Sequence, residues 1–202
     1  MKLGFFGGSF NPPHNGHKKI IENCIDYFDK LLIIPNKVSP HKIKKYSIDS
    51  SYRLEMLNLL FHKNKVEIDL FEINSKNDIS YTYNTIKYLQ DKYNDFSLTM
   101  ILGEDQLFDL KKWHNYEYII KNVNIFFFKR FTEETLASNK KELKNIIIKD
   151  LNKFNNTFKI FEYDCPFSSS LIRDEIKLKH SISRSMISEE VITYIKDNNL
   201  YK

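Results

Sequence analysis

Short apolar runs alternate with segments of helical apolar spacing along most of the chain. Leu3–Phe6, Leu31–Ile34, Val66–Ile73, Ser97–Leu102, Val123–Phe128 and Phe158–Tyr163 read as strands. The continuous apolarity of the second is the mark of a strand buried on both faces, as in a parallel sheet. Between them, 18–28 carries Ile20, Ile21, Cys24, Ile25 and Phe28 at helical spacing, which makes Cys24 a core residue. The segment 50–62 carries Leu54, Met56, Leu57, Leu60 and Phe61 inward, with Ser50 or Ser51 as its cap and His62 structural or exposed at its end. A helix capped by Ser80 runs to about Tyr93, a short one spans 118–121, another opens at 167–173, and a small last one covers 188–198. The polar stretch 132–156, rich in Lys and Asn, predicts a peripheral or mobile helix without chemistry. Alternating strands and helices predict an α/β fold, a doubly wound, Rossmann-like parallel sheet of about six strands with helices on both faces. The 202 residues fit one domain, 1–202, with 165–202 as a small helical C-terminal part.

Composition narrows the classes. Two cysteines, Cys24 and Cys165, far apart and without metal spacing, argue against a disulfide scaffold and fit a reducing cytoplasm. No apolar run is long enough to span a bilayer, and the first residues read as a strand rather than a leader, so no membrane partner is expected. A formal net charge of +5 suits anionic small molecules but is weak support for nucleic acid, and no basic helix face interleaved with aromatics adds to it.

The chemistry concentrates at the carboxyl ends of the expected strands, where open α/β sheets bind ligands. The stretch Gly7-Gly8-Ser9-Phe10-Asn11-Pro12-Pro13-His14-Asn15-Gly16-His17 joins the first strand to the first helix. Its glycines admit a ligand close to the backbone, and the helix start favours an anion. His14 and His17 can both point at one bound group, so the stretch reads as a phosphate site with two imidazoles aimed at it. The loop after the second strand holds Lys37, His41 and Lys42; the neighbouring Lys44 and Lys45 read as solvated charge. Gly103-Glu104-Asp105-Gln106 is another strand-to-helix turn, where a carboxylate can hold ribose hydroxyls or cap the helix. Trp113, in a polar loop, reads as a stacking platform for a base. Ser168-Ser169-Ser170 at a helix start, with Arg173 one turn inside, makes a second anion site facing the first.

The pattern Gly-x-Phe-x-Pro-x-His-x-Gly-His resembles the His-x-Gly-His signature of the nucleotidyltransferase superfamily, and is neither a Walker loop nor Gly-x-Gly-x-x-Gly. With Ile33–Lys42, Ser80–Thr85, Ile101–Tyr118, Ser168–Arg173 and Ile192–Lys202, nearly the whole chain resembles bacterial nicotinate-nucleotide adenylyltransferases. That resemblance implies transfer of AMP from ATP to nicotinate mononucleotide, with pyrophosphate released. It implies ATP contacts at Gly7, Gly8, Ser9, Phe10, His14, Gly16, His17, Gly103, Asp105, Ser168, Ser169 and Arg173, with His14, His17 and Arg173 catalytic. It implies acceptor contacts at His41, Lys42, Tyr81, Thr82, Thr85, Trp113 and Arg130. It implies Mg²⁺ held mainly by ATP phosphates, with no metal ligands on the chain. A homodimer is compatible with the sequence, which does not fix the assembly state.

Three positions depart from the family's pattern: Ser170 where Thr is usual, His114 where Tyr is frequent, and Arg130-Phe131-Thr132 in place of Arg-Pro-Gly. Nothing acidic lies in Tyr81–Thr85 to repel a carboxylate, so nicotinate is expected over nicotinamide mononucleotide. The competing readings are an adenylyltransferase for another phosphate acceptor, such as nicotinamide mononucleotide or phosphopantetheine, and a non-catalytic nucleotide-binding regulator.

Overall fold

A computed structural model describes residues 1–38, 48–61, 65–76, 79–107, 109–129, 138–163 and 165–202. Six strands form one sheet in the order β3-β2-β1-β4-β5-β6. They are β1 (Lys2–Gly8), β2 (Lys30–Pro35), β3 (Val66–Ile68), β4 (Ser97–Gly103), β5 (Asn124–Lys129) and β6 (Phe158–Glu162). Every neighbouring pair is parallel. The helices are α1 (Asn15–Cys24), α2 (Ser50–Leu60), α3 (Phe71–Asn74), α4 (Thr82–Lys92), α5 (Glu104–Leu107), α6 (Tyr116–Asn122), α7 (Ser138–Asn152), α8 (Ser169–Lys177) and α9 (Glu189–Asp197). This is the doubly wound α/β architecture that the alternation of elements predicts, with its switch point between β1 and β4.

Each strand residue goes to one face or the other by the period of two. Phe5, Leu32, Ile34, Met100, Leu102 and Phe127 pack against Ile86 and Leu89 of α4, Ile119 and Ile120 of α6, and Ile147 and Leu151 of α7. Phe6, Leu31, Ile33, Ile101 and Phe128 pack against Ile20, Ile21 and Cys24 of α1 and Leu57 of α2. A third cluster joins Met56 of α2, Ile172 of α8, Val191, Ile192 and Ile195 of α9, and Tyr201. Cys24 is a buried thiol, and burial alone pushes its pKa up to about 12, as its place on the apolar stripe predicts.

Several boundaries differ from the sequence reading, each for a local reason. Helix α1 starts at Asn15 rather than Lys18, because His14 adopts an extended cap conformation and hands its backbone N–H to the ring of His17. The third strand stops at Ile68: the Asp69 carboxylate accepts the Phe71 N–H at 2.9 Å and turns the chain into α3. Asp49, not Ser50 or Ser51, caps α2 by accepting the Ser51 N–H at 2.8 Å. Ser80 is not a helix cap either, since its hydroxyl accepts the Lys37 N–H at 3.0 Å. Helix α7 is anchored rather than peripheral, with Ile147 and Leu151 fully buried; burial of two such side chains stabilises by roughly 3–6 kcal/mol.

Candidate active site

The first anion site is built at the junction of β1 and α1. Phe10 sits at a φ of 46°, a conformation a bulky residue adopts only when its surroundings hold it there. What holds it is burial: its ring packs edge-on against Phe6 and against His17, at 5.6 Å and 5.0 Å. Phe10 therefore shapes the turn from below, and only its backbone is available to a nucleotide. The His14 and His17 rings stack with centroids 3.7 Å apart. The His14 backbone N–H donates to His17 Nδ1 at 3.1 Å. An Nδ1 that accepts carries no proton, so neutral His17 is the Nε2–H tautomer, a donor suited to an anion.

Gly16 has a packing reason. A Cβ there would lie 2.6 Å from Cys165 Sγ and from the Tyr163 hydroxyl, and 2.8 Å from the His14 ring. Its place among the expected ATP contacts is thus explained by how tightly α1 approaches the 163–165 segment. A Cβ on Gly103, by contrast, would meet nothing within 4 Å among the described residues, which leaves room for a ligand beside it.

The C-terminal elements close on this loop. Ser168 caps α8 by accepting the Leu171 N–H at 3.2 Å. Ser169 donates to the Pro12 carbonyl at 2.8 Å, and Arg173 Nη1 donates to the Asn11 carbonyl at 2.6 Å. Arg173 Nη2 reaches Ser170 Oγ at 3.2 Å, so the hydroxyl that replaces Thr is in use. The Tyr201 hydroxyl donates to Asn11 Oδ1 at 2.8 Å. At the start of α1, Asn15 is held by the carbonyls of Arg184, Ser185 and Met186. The imidazoles from the beginning of the chain and the guanidinium of α8 thus belong to one assembly.

Across β1 from this assembly, on the α4 face, lies a cleft of about 380 Å³. Phe5, Gly7, Gly8, Met100 and Leu102 line its base, and Tyr81, Thr82, Thr85, Trp113 and His114 its sides. His14, His17 and Arg173 do not line it. His17 packs on Phe6, which belongs to the α1 face, while Phe5 beneath the cleft belongs to the α4 face. The ends of β1 and β4 separate the two halves, where a dinucleotide would cross the sheet. Trp113 Nε1 is buried without a hydrogen-bond partner among the described residues. His114, where Tyr is frequent in the family's pattern, rests against Tyr81 at 5.1 Å.

Two residues in this region escape sequence reasoning. Glu72, from α3, is buried in the cleft wall and accepts the Thr85 hydroxyl at 2.6 Å. Thr85 thus spends its hydroxyl proton on Glu72 while lining the cleft. Burial pushes the Glu72 carboxyl above its usual range, against the opposing pull of the Thr85 and Ser80 hydroxyls. Arg53, from α2, is 2% exposed and donates to the carbonyls of Ser9 at 2.7 Å and Asn36 at 2.8 Å. Three expected site residues, His41, Lys42 and Arg130, lie outside the described residues, as does the side chain of Asp105.

The chain is similar to known proteins in sequence and in fold. The family model described as Cytidylyltransferase-like matches residues 5–175. A probable nicotinate-nucleotide adenylyltransferase of Bacillus licheniformis is 33% identical over 207 residues, covering 100% of this chain and 98% of that one. The nicotinate-nucleotide adenylyltransferase of Bacillus subtilis is 30% identical, with 100% of this chain and 98% of that one covered. In fold, the chain is similar to the Plasmodium falciparum nicotinic acid mononucleotide adenylyltransferase solved in complex with NaAD. The TM-score is 0.75 at 18% identity, over 99% of this chain and 97% of that one.

Proposed function

Because the chain belongs to the nicotinate-nucleotide adenylyltransferase family, we propose that it transfers AMP from ATP to nicotinate mononucleotide, giving nicotinate adenine dinucleotide and pyrophosphate. One observation of the structure supports this most: the His14–His17 pair, tied to the Arg173 helix, stands beside an aromatic cleft at the same sheet edge. The first suits a polyphosphate, the second a flat ring.

In the reaction, a 5′-phosphate oxygen of the mononucleotide attacks the α-phosphorus of ATP. The bond from that phosphorus to the bridging oxygen breaks, and its electrons leave with pyrophosphate. The nucleophile is already an anion at neutral pH, so the chain need not supply a strong base. Its work is positioning and charge stabilisation. His17 Nε2–H and His14 donate to the phosphates from Gly7–Ser9, and Arg173 extends its remaining N–H groups to the departing pyrophosphate. Ser168, Ser169, Gly103 and Asp105 complete the ATP side. Trp113 and Tyr81 frame the pyridine, while the N–H groups of the first turn of α4 at Thr82 receive its carboxylate. His41, Lys42 and Arg130 are assigned to phosphate by family resemblance.

Mg²⁺ enters as part of the ATP substrate. Phosphate oxygens and water are hard donors that suit the ion; among the described residues no three His, Cys, Asp or Glu side chains form a metal-binding group. Also among the described residues, no helix is long and apolar enough to cross a membrane.

The test is pyrophosphate release with ATP and either pyridine mononucleotide. Higher kcat/KM with nicotinate mononucleotide is expected. Equal values would remove the acid preference, and no release with either acceptor would remove the reading itself.

A further inference from the structure

We propose that Arg53 supplies a buried counter-charge to the nucleotide's polyphosphate, acting through the loop of Ser9 rather than touching the substrate. The inference rests on the ATP-binding reading above. Arg53 is 2% exposed, and its guanidinium is held by backbone alone: Ser9 O at 2.7 Å, Asn36 O at 2.8 Å and Lys37 O at 3.4 Å. Its Nε has no partner among the described residues. The acceptors are dipoles, not anions. The Asp49 carboxylate, the cap one turn earlier, attracts Arg53 through space, but it is exposed and gives its hydrogen bonds to the Ser51 N–H and hydroxyl. The 39–47 stretch, outside the described residues, contains no Asp or Glu, only cations and neutral residues.

A buried charge with no carboxylate in hydrogen-bond contact among the described residues is costly, and proteins ordinarily pair it or replace it with an apolar side chain. Burial draws the Arg53 pKa down, yet an arginine stays charged at neutral pH. The charge persists at the one place where an anion is to be bound: directly beneath Ser9, between the ends of β1 and β2. Away from water its field is little screened, so it reaches an anion on the far side of the loop. The same guanidinium joins the two loops that flank the sheet edge. Asn36 reinforces that junction, donating its N–H to the Gly8 carbonyl at 2.9 Å and its amide to Ser9 Oγ at 3.3 Å.

A clamp and a counter-charge differ in what they predict. Arg53→Lys keeps the charge but cannot fork between two carbonyls; Arg53→Gln keeps polarity and loses the charge. Binding of inorganic tripolyphosphate and of adenosine is titrated to wild type and both variants. Tripolyphosphate affinity should fall by about tenfold or more in Arg53→Gln and by less than about threefold in Arg53→Lys, a tenfold change being 1.4 kcal/mol. Adenosine affinity should stay within about twofold in both, since it carries no charge. Equal tripolyphosphate losses in the two variants, or a parallel loss of adenosine, would overturn the proposal. If Arg53→Gln does not fold, Arg53→Lys decides alone: a loss of tripolyphosphate affinity beyond about tenfold overturns it. Wild-type turnover of ATP with nicotinate mononucleotide is measured alongside. Its absence defeats the underlying reading, whereas normal turnover with unchanged tripolyphosphate affinity in both variants defeats this inference only.

Discussion

The hydroxyl of Tyr201 donates to Oδ1 of Asn11, 190 positions earlier, inside a buried junction. Asn11 in turn offers its carbonyl to Arg173. Tyr201→Phe removes one oxygen and leaves a buried acceptor one bond short, a loss of about 1–3 kcal/mol. A thermal melt should show a fall of roughly 2–12 °C, at about 2–4 °C per kcal/mol for a chain of this length. Because Asn11 orients Arg173, kcat should fall about tenfold as well, the equivalent of 1.4 kcal/mol in the transition state. An unchanged kcat in the folded variant would separate the C-terminal tail from catalysis.

His17 holds its proton on Nε2 because Nδ1 is occupied by the His14 N–H. His17→Ala should cost on the order of 3 kcal/mol in the transition state, as loss of a preorganised donor does, with a smaller change in ATP affinity. His17→Gln, whose amide can place an N–H near the Nε2 position, should retain more of kcat than Ala. Steady-state kinetics on the two variants checks the order.

Two glycines at the sheet edge should respond in opposite ways to the same methyl group. Gly16→Ala drives a Cβ to within 2.6 Å of Cys165 and Tyr163 and should destabilise by about 1–3 kcal/mol. Gly103→Ala meets no atom of the described residues within 4 Å, so its melting temperature should match wild type while the KM for ATP rises. Parallel melts and ATP titrations would expose either assignment as wrong.

The buried Glu72 gives a pH signature. Its folded pKa is raised above the reference value of 4.5, so the folded state holds its proton more tightly than the unfolded chain. That favours folding below the unfolded value, and the advantage is lost as pH rises through the folded pKa. In Glu72→Gln this dependence disappears. The difference in melting temperature between variant and wild type should therefore move in the variant's favour as pH climbs above 4.5. A pH-independent difference would mean that the carboxyl titrates normally.

What was legible in the sequence follows from how local each signal is. The Gly7–His17 loop and the Ser168–Arg173 helix start are contiguous, so the turn into α1 and the cap of α8 could be placed from residue types alone. Cys24 could be placed in the core because its neighbours share its helical face. Arg53 was not legible: an arginine within a helix usually reaches water, and its burial is decided by two loops from elsewhere in the chain. Glu72 was hidden behind an overlong third strand, which the Asp69 side chain ends early. Its proximity to Thr85 then depends on how α3 packs against α4, which no spacing rule reports.

Asn11, Pro12 and Asn15 take hydrogen-bonding partners from Ser169, Arg173, residues 184–186 and Tyr201. Damage far along the chain, at Ser169, Arg173, the 184–186 carbonyls or Tyr201, therefore reaches the first loop through direct hydrogen bonds. The six-stranded sheet takes no strand from residues 165–202, so such a lesion is expected to loosen the nucleotide-binding turn while the pairing of the strands survives.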